Sequence, residues 1–145
     1  MTHASRDTTT GLTFEHQAKI ARQDGINLSK TRLASWVKTK GINLTDYLSW
    51  NFQPDEAYFL PNTNEVIIYE KKAQHTNGSA DEKLGNCAWK IQEYKNLFAA
   101  CGIDKVSYIF IFNDWFKQSR YEKLLNYIRS VDDCDYFFWD DSTIA

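Results

Sequence analysis

No stretch of this chain approaches the roughly 18 to 20 consecutive apolar residues that a membrane-spanning helix needs. The opening residues, MTHASRDTTTG, are polar and lack the basic and then apolar pattern of a secretory signal, so a cytoplasmic protein is expected. Cysteine is scarce. Cys87, Cys101 and Cys134 are odd in number and widely spaced, which fits neither a disulfide framework nor a zinc site of the CxxC type, and they are expected to be reduced and buried. His3, His16 and His75 form no metal-ligand spacing and read as ordinary surface or core histidines. Proline occurs only as Pro54 and Pro61, and no low-complexity segment or interdomain linker stands out.

What the chain does have is apolar and aromatic content, 43% and 15% of its 145 residues. That supports one domain with a real core and is too short for two comfortable ones. The five tryptophans and eight tyrosines are assigned mostly to that core, because no interleaving of basic and aromatic residues marks a single-strand stacking platform. The net charge of −2 argues at first sight against a nucleic-acid partner. However, Asp132, Asp133, Asp135, Asp140 and Asp141 all follow the last basic residue, Arg129, so residues 1–130 carry 17 basic against 14 acidic groups, or +3. With a screening length of about 8 Å at physiological salt, such a body can hold a phosphate backbone locally.

Residues 1–11 are expected to be flexible, and residues 13–50 to form a helical N-terminal part. Phe14, Ala18 and Ala21 mark a first helix stopping near Gly25. The tetrapeptide GINL occurs at 25–28 and again at 41–44. Both copies read as a helix-ending glycine followed by a new cap, Ser29 or Thr45, with short helices at about 30–40 and 45–50. Pro54 then opens DEAYFLP, a strand, NTNE is a turn, and residues 55–73 read as an antiparallel hairpin. Ser79 or Asp81 can cap a long helix with Leu84, Ala88, Ile91, Tyr94 and Phe98 on one face, ended by Gly102. KVSYIFIF, 105–112, has little polarity on either face and reads as a central strand. An amphipathic helix at 115–131 and a final strand at 134–140 follow, so residues 52–140 form an α/β core with a central mixed sheet flanked by helices.

The unusual stretch is VIIYEKKAQ, where a β-branched run passes directly into Glu70, Lys71 and Lys72. In a strand, residues i and i+2 share a face, so Glu70 and Lys72 point together, about 6.6 Å apart along the chain, and Lys71 points away. Asp55 heads the partner strand, and antiparallel pairing sets the head of one strand beside the end of the other. Asp55, Glu70 and Lys72 are therefore expected to converge, whereas alternation turns Glu56 away. Two carboxylates with room for water suit a hard cation such as Mg²⁺, and a neighbouring lysine suits charge growing on a phosphoryl group. Two further acid-x-Lys matches, Asp81-x-Lys83 and Glu93-x-Lys95, fall on the predicted long helix, where i and i+2 diverge by roughly 200° and cannot serve one metal.

Pro54-Asp55 with Glu70-Lys71-Lys72 following 15 positions after Asp55 is the pattern of the PD-(D/E)xK nuclease superfamily, and the chain resembles its small type II restriction endonucleases over roughly residues 52–112. The resemblance implies a restriction-endonuclease-like core of αβββαβ type, whose first strand lies near 48–53 or is short. It implies Asp55 and Glu70 as metal ligands with the carbonyl of Lys71, Lys72 as the catalytic lysine, and Mg²⁺ as the cofactor, Mn²⁺ substituting. Glu15 matches a position where many members carry a further acidic residue, and Gln74 follows the catalytic strand as in several members. Lys90, Gln92 and Tyr94 are similar to a helix motif of some members, although an amphipathic helix accounts for them equally. Gln74, His75, Asn77, Ser79 and Lys83 are candidate DNA contacts, through a loop and helix start whose N–H groups favour phosphate. Polar decoration of a capped helix accounts for the last four equally well.

The function implied is a metal-dependent endonuclease acting on double-stranded DNA, a type II restriction enzyme by preference. A homodimer would cut both strands of a palindrome, and the N-terminal helices with Trp36 and Trp50 are its expected interface, although burial of either tryptophan in the core is an equal alternative. Two other functions compete: a repair or recombination nuclease cutting branched DNA, and a noncatalytic DNA-binding module of the same fold.

Overall fold

The β-branched run ending in charge forms the middle of a five-stranded sheet. A computed structural model of the chain describes residues 14–49, 53–74 and 84–138, without the side chains of Phe14 and Glu15. Expectations for residues 1–11, for Trp50, for Ser79 or Asp81 as a cap and for residues 139–140 lie outside the described residues. The elements are α1 (Phe14–Asp24), β1 (Ile26–Asn27), α2 (Arg32–Thr39), β2 (Glu56–Leu60), β3 (Glu65–Lys72), α3 (Cys87–Ala100), β4 (Lys105–Phe112), α4 (Glu122–Ser130) and β5 (Cys134–Phe138). Strand order follows chain order. β1 pairs with β2 and β2 with β3 antiparallel, while β4 lies parallel to both β3 and β5. This is an α/β fold with a mixed open sheet flanked by helices.

The hairpin and the central strand agree with the sequence reading because their signals are local. Asn64, with φ +52°, supplies the left-handed turn position between β2 and β3. β4 is apolar from Tyr108 to Phe112 because both of its faces are covered there. On one face, Val66, Ile68, Val106, Tyr108, Phe110 and Phe112 share a core with residues of α2, α3 and α4, including Val37, Ile91, Tyr94, Phe98 and Ile128. On the other, Tyr58, Ile67, Tyr69, Ile109 and Ile111 pack against Ala18 and Ala21 of α1.

The two GINL copies behave differently. At Gly41 the chain takes φ +74°, with Gly41 N–H donating to the Lys38 carbonyl and Ile42 N–H to that of Val37, the paired bonds of a Schellman cap. Gly25 instead permits a close approach: a Cβ there would sit 2.6 Å from the Ala21 carbonyl oxygen and 2.9 Å from the Tyr58 Cβ. The backbone can thus come alongside β2, and Ile26–Asn27 become an edge strand opposite Phe59 and Tyr58. The short additional strand is therefore here. Leu48 and Ser49 are not in a strand.

Both predicted caps need correction. Ser29 is not an N-cap, because its hydroxyl accepts the Ala57 N–H at 3.1 Å and so ties the loop before α2 to the sheet. At the second site Asn43 does the capping, its Oδ1 accepting the Thr45 N–H, and only a 3₁₀ turn, Leu44–Asp46, replaces the helix expected at 45–50. The expected helix at 115–131 likewise begins as two 3₁₀ turns, Asp114–Lys117 and Ser119–Tyr121, before α4. Asn86 stands at the N-cap position of α3 but its side chain makes no capping hydrogen bond. The cysteines are unbridged, Cys87 and Cys134 buried and Cys101 half-buried. Trp36 packs within its own chain, 5.5 Å from the Phe59 ring and 6.3 Å from that of Phe98.

α1 is fastened to the sheet by one ionic cluster. The Arg22 guanidinium donates from Nε and Nη2 to the two oxygens of Glu56 at 2.8 and 2.9 Å, and the Tyr58 hydroxyl donates to the same carboxylate. Burial alone would raise the Glu56 pKa, but hydrogen bonds from Arg22, Lys71 and Tyr58 outweigh it and hold the group at about 2 against an ordinary 4.5. A depressed carboxylate contributes stability above its unfolded value and loses it as pH falls through its folded value. Arg22→Ala is therefore expected to cost about 1–2 kcal/mol at pH 7 and much less near pH 2, as read from denaturant titrations at the two pH values.

Candidate active site

The register of the hairpin generates the site. Glu56 opposite Tyr69 is the last paired position of β2 and β3, and one further step sets Asp55 opposite Glu70. Directly opposed residues share a face, so the two carboxylates meet. Asp55 is held there by its own backbone surroundings: its Oδ2 accepts the Lys71 N–H at 2.9 Å. An extended residue presents its N–H and C=O to the same side, so the Lys71 carbonyl also faces the Asp55 edge. Lys72 follows Glu70 by two residues on the same face, and Lys71 lies on the opposite one, its Nζ 2.9 Å from Glu56. Both Glu56 and Lys71 are thus turned away from the carboxylate pair, as alternation predicts.

Electrostatics mark this pair as unusual. Burial, then the charge of Asp55 and a hydrogen bond with it, push the Glu70 carboxyl up to about 8, and Lys72 and Lys90 pull it only part of the way back. Phe110 is the parallel-strand neighbour of Glu70, and the buried rings of Tyr94 and Tyr108 stand 6.0 Å apart on the same face. Burial first, and then the charge of Glu70, raise the pKa of both tyrosines. This aromatic wall withdraws water from Glu70, which is why two adjacent carboxylates retain a proton near neutrality.

A proton held in this way marks a deficit of positive charge that a divalent cation would fill. Among the described residues no group of three or more His, Cys, Asp or Glu gathers. The oxygen atoms that could take a cation here are those of Asp55, Glu70 and the Lys71 carbonyl, a short set of the kind Mg²⁺ accepts, since that ion keeps several waters and shares substrate phosphates. The chain matches no protein-family model, no curated protein and no solved structure with which it was compared.

Gln74 lies just beyond β3 and is buried. His75, Asn77, Ser79 and Lys83 fall outside the described residues. The side chain of Glu15 does so too, and its helix packs against the sheet face opposite the carboxylate pair. Three neighbours of the site were not among the expected catalytic, metal-binding or DNA-contacting residues. Lys30 Nζ lies 4.0 Å from Asp55 Oδ1, brought there because the Lys30 N–H donates to the Pro54 carbonyl. Lys90 faces Glu70 from the first turns of α3. Asn113, at the end of β4, bonds both backbone groups of Gln74. The sequence signal for Lys90 was its place with Gln92 and Tyr94 in a stretch similar to a helix motif, which an amphipathic helix explains equally. Lys30 is remote in sequence and carried no signal.

Proposed function

We propose that this chain is a Mg²⁺-dependent DNA endonuclease with a restriction-endonuclease-like core, acting on duplex DNA as a type II restriction enzyme. The observation that carries the reading is the facing pair of Asp55 and Glu70 with Lys72 on the same face. The element order from α1 to β4, with α2 as an insertion, supports an αβββαβ core. Asp55, Glu70 and the Lys71 carbonyl would hold the cation. When bound, Mg²⁺ lowers the pKa of a coordinated water and neutralises charge on the phosphoryl group. Glu70 gives up its retained proton on taking up this role. The Lys72 ammonium orients the attacking water or stabilises the charge growing on the phosphoryl oxygens. The aromatic wall excludes bulk solvent from Glu70 and strengthens both interactions.

Linear and branched duplexes incubated with the protein in Mg²⁺ test the reading directly. Discrete, sequence-defined fragments from linear DNA are expected, and selective cutting of the branched substrate would move the assignment to repair or recombination. Ca²⁺ satisfies oxygen ligands and relieves carboxylate–phosphate repulsion, so affinity for duplex DNA is expected to rise at least about tenfold over that in EDTA, without cleavage. Equal binding in Ca²⁺ and EDTA would favour a noncatalytic module.

A type II enzyme of this size is proposed to act as a homodimer whose two-fold axis coincides with that of its target. Sedimentation at micromolar concentration is expected to give the dimer mass. A strict monomer that mainly nicks DNA would contradict the restriction assignment. Among the described residues no helix is long and apolar enough to cross a membrane.

A further inference from the structure

Gln74 is 9% exposed, and among the described residues its Nε2 has no hydrogen-bond partner. Buried amide donors are nearly always paired, because each has given up water on folding, and an orphan invites a docking partner. The backbone of the same residue is, by contrast, firmly held. Gln74 N–H donates to Asn113 Oδ1 at 3.2 Å, Asn113 Nδ2 donates back to the Gln74 carbonyl at 2.8 Å, and Asn113 N–H donates to the Lys72 carbonyl at 3.3 Å. The Asn113 side chain thereby continues the β3–β4 ladder one step past the pairing of Lys72 with Phe112. Exposure alternates along this extension, with Lys71 and Ala73 exposed, Lys72 half-buried and Gln74 buried. Gln74 therefore shares the face of Glu70 and Lys72. It stands at the carboxyl ends of two parallel strands, where ligands of open α/β sheets bind.

We infer that the Gln74 carboxamide is a substrate-binding group, donating from Nε2 to a phosphate oxygen of the DNA strand bound at Asp55, Glu70 and Lys72, with Asn113 as the positioning residue that fixes it. This assignment rests on the nuclease reading above. A phosphate oxygen is purely an acceptor, so a rigid neutral donor suits it. Unlike another lysine, an amide leaves the charge balance around Glu70 unchanged. The fold leaves the donor unanswered because its partner arrives with the substrate.

Gln74→Met keeps the approximate size of the side chain and removes the donor. In Ca²⁺, its affinity for a short duplex of mixed sequence is expected to fall about tenfold, and single-turnover cleavage in Mg²⁺ to fall about 10- to 100-fold, as for loss of a hydrogen bond to a charged group. The loss should be the same on unrelated sequences. The melting temperature of the free protein should hold or rise, since a buried unanswered donor has gone. Asn113→Ala should show a smaller loss of affinity for the same duplex. A structural role for Gln74 predicts the opposite pattern, a lower melting temperature with unchanged DNA affinity, and that result overturns the inference. So does a change in which sequences are cut, which would mean a contact to a base. If the wild-type protein cuts duplex DNA and Gln74→Met cuts it equally well, this inference alone is lost. A wild-type protein that neither binds nor cuts DNA removes the nuclease reading and this inference together.

Discussion

Alanine in place of Asp55, Glu70 or Lys72 is expected to reduce Mg²⁺-dependent cleavage of duplex DNA by about 10³-fold or more, with the fold retained. Each substitution removes a different contribution. Without Asp55 the cation loses one of two carboxylates, and the Lys71 N–H loses its acceptor. Without Glu70 the carboxylate pair no longer exists. Without Lys72 the strand keeps its geometry but loses the ammonium nearest Glu70 in sequence on that face. Lys71→Ala is the internal control, since that side chain bonds Glu56 on the far side of the sheet. It should keep cleavage within severalfold of wild type and cost no more than about 1 kcal/mol of stability, as expected for a partly exposed ion pair. Single-turnover assays on folded variants, checked by circular dichroism, decide the point. A Lys71 variant as inactive as the Lys72 variant would be incompatible with the site facing α3.

Glu70→Gln is expected to stabilise the protein at alkaline pH in EDTA and to abolish its response to Mg²⁺. The Glu70 carboxyl sits at about 8 in the fold against an ordinary 4.5. For a group whose folded pKa is raised, the associated stability is complete below the unfolded value and is lost as pH rises through the folded value. Wild-type stability should therefore fall between about pH 5 and pH 9, by on the order of 3 kcal/mol, from roughly 1.4 kcal/mol per unit with allowance for partial solvation. The glutamine variant has no proton to lose and should lack this slope. Added Mg²⁺ supplies the missing positive charge, so at pH 8 it should raise the wild-type melting temperature and leave that of Glu70→Gln unchanged. Parallel pH profiles for the two proteins would show that the carboxylates do not face each other as described.

The legible part of this molecule was the part encoded over short distances. The alternation in VIIYEKK put Glu70 and Lys72 on one face and Lys71 on the other, and the hairpin turn brought Asp55 beside Glu70, because strand periodicity and register follow from local sterics and a short loop. β4 could be read as central because covering both faces of a strand demands an apolar run with little polarity on either face, as in Tyr108–Phe112. The helix-ending role of Gly41 was equally local. Gly25 ends its helix as well, but the strand Ile26–Asn27 that follows was not legible because it depends on Tyr58, more than thirty positions away, against whose Cβ only a glycine can lie. Ser29 was misread for the same reason, since the Ala57 N–H competed successfully for its hydroxyl.

By itself, then, the sequence determined the α/β class, the hairpin, and which three side chains share its face, all consequences of the period of two and of turn chemistry. The tertiary structure alone decided what surrounds them. It brought Lys90 and Tyr94 of α3 over Glu70, Lys30 beside Asp55, and Asn113 against Gln74. Those contacts arise from helices and loops packing onto a sheet, and the burial they impose, which no pattern along the chain measures, raises the proton affinity of Glu70 and leaves the Gln74 Nε2 unpaired among the described residues.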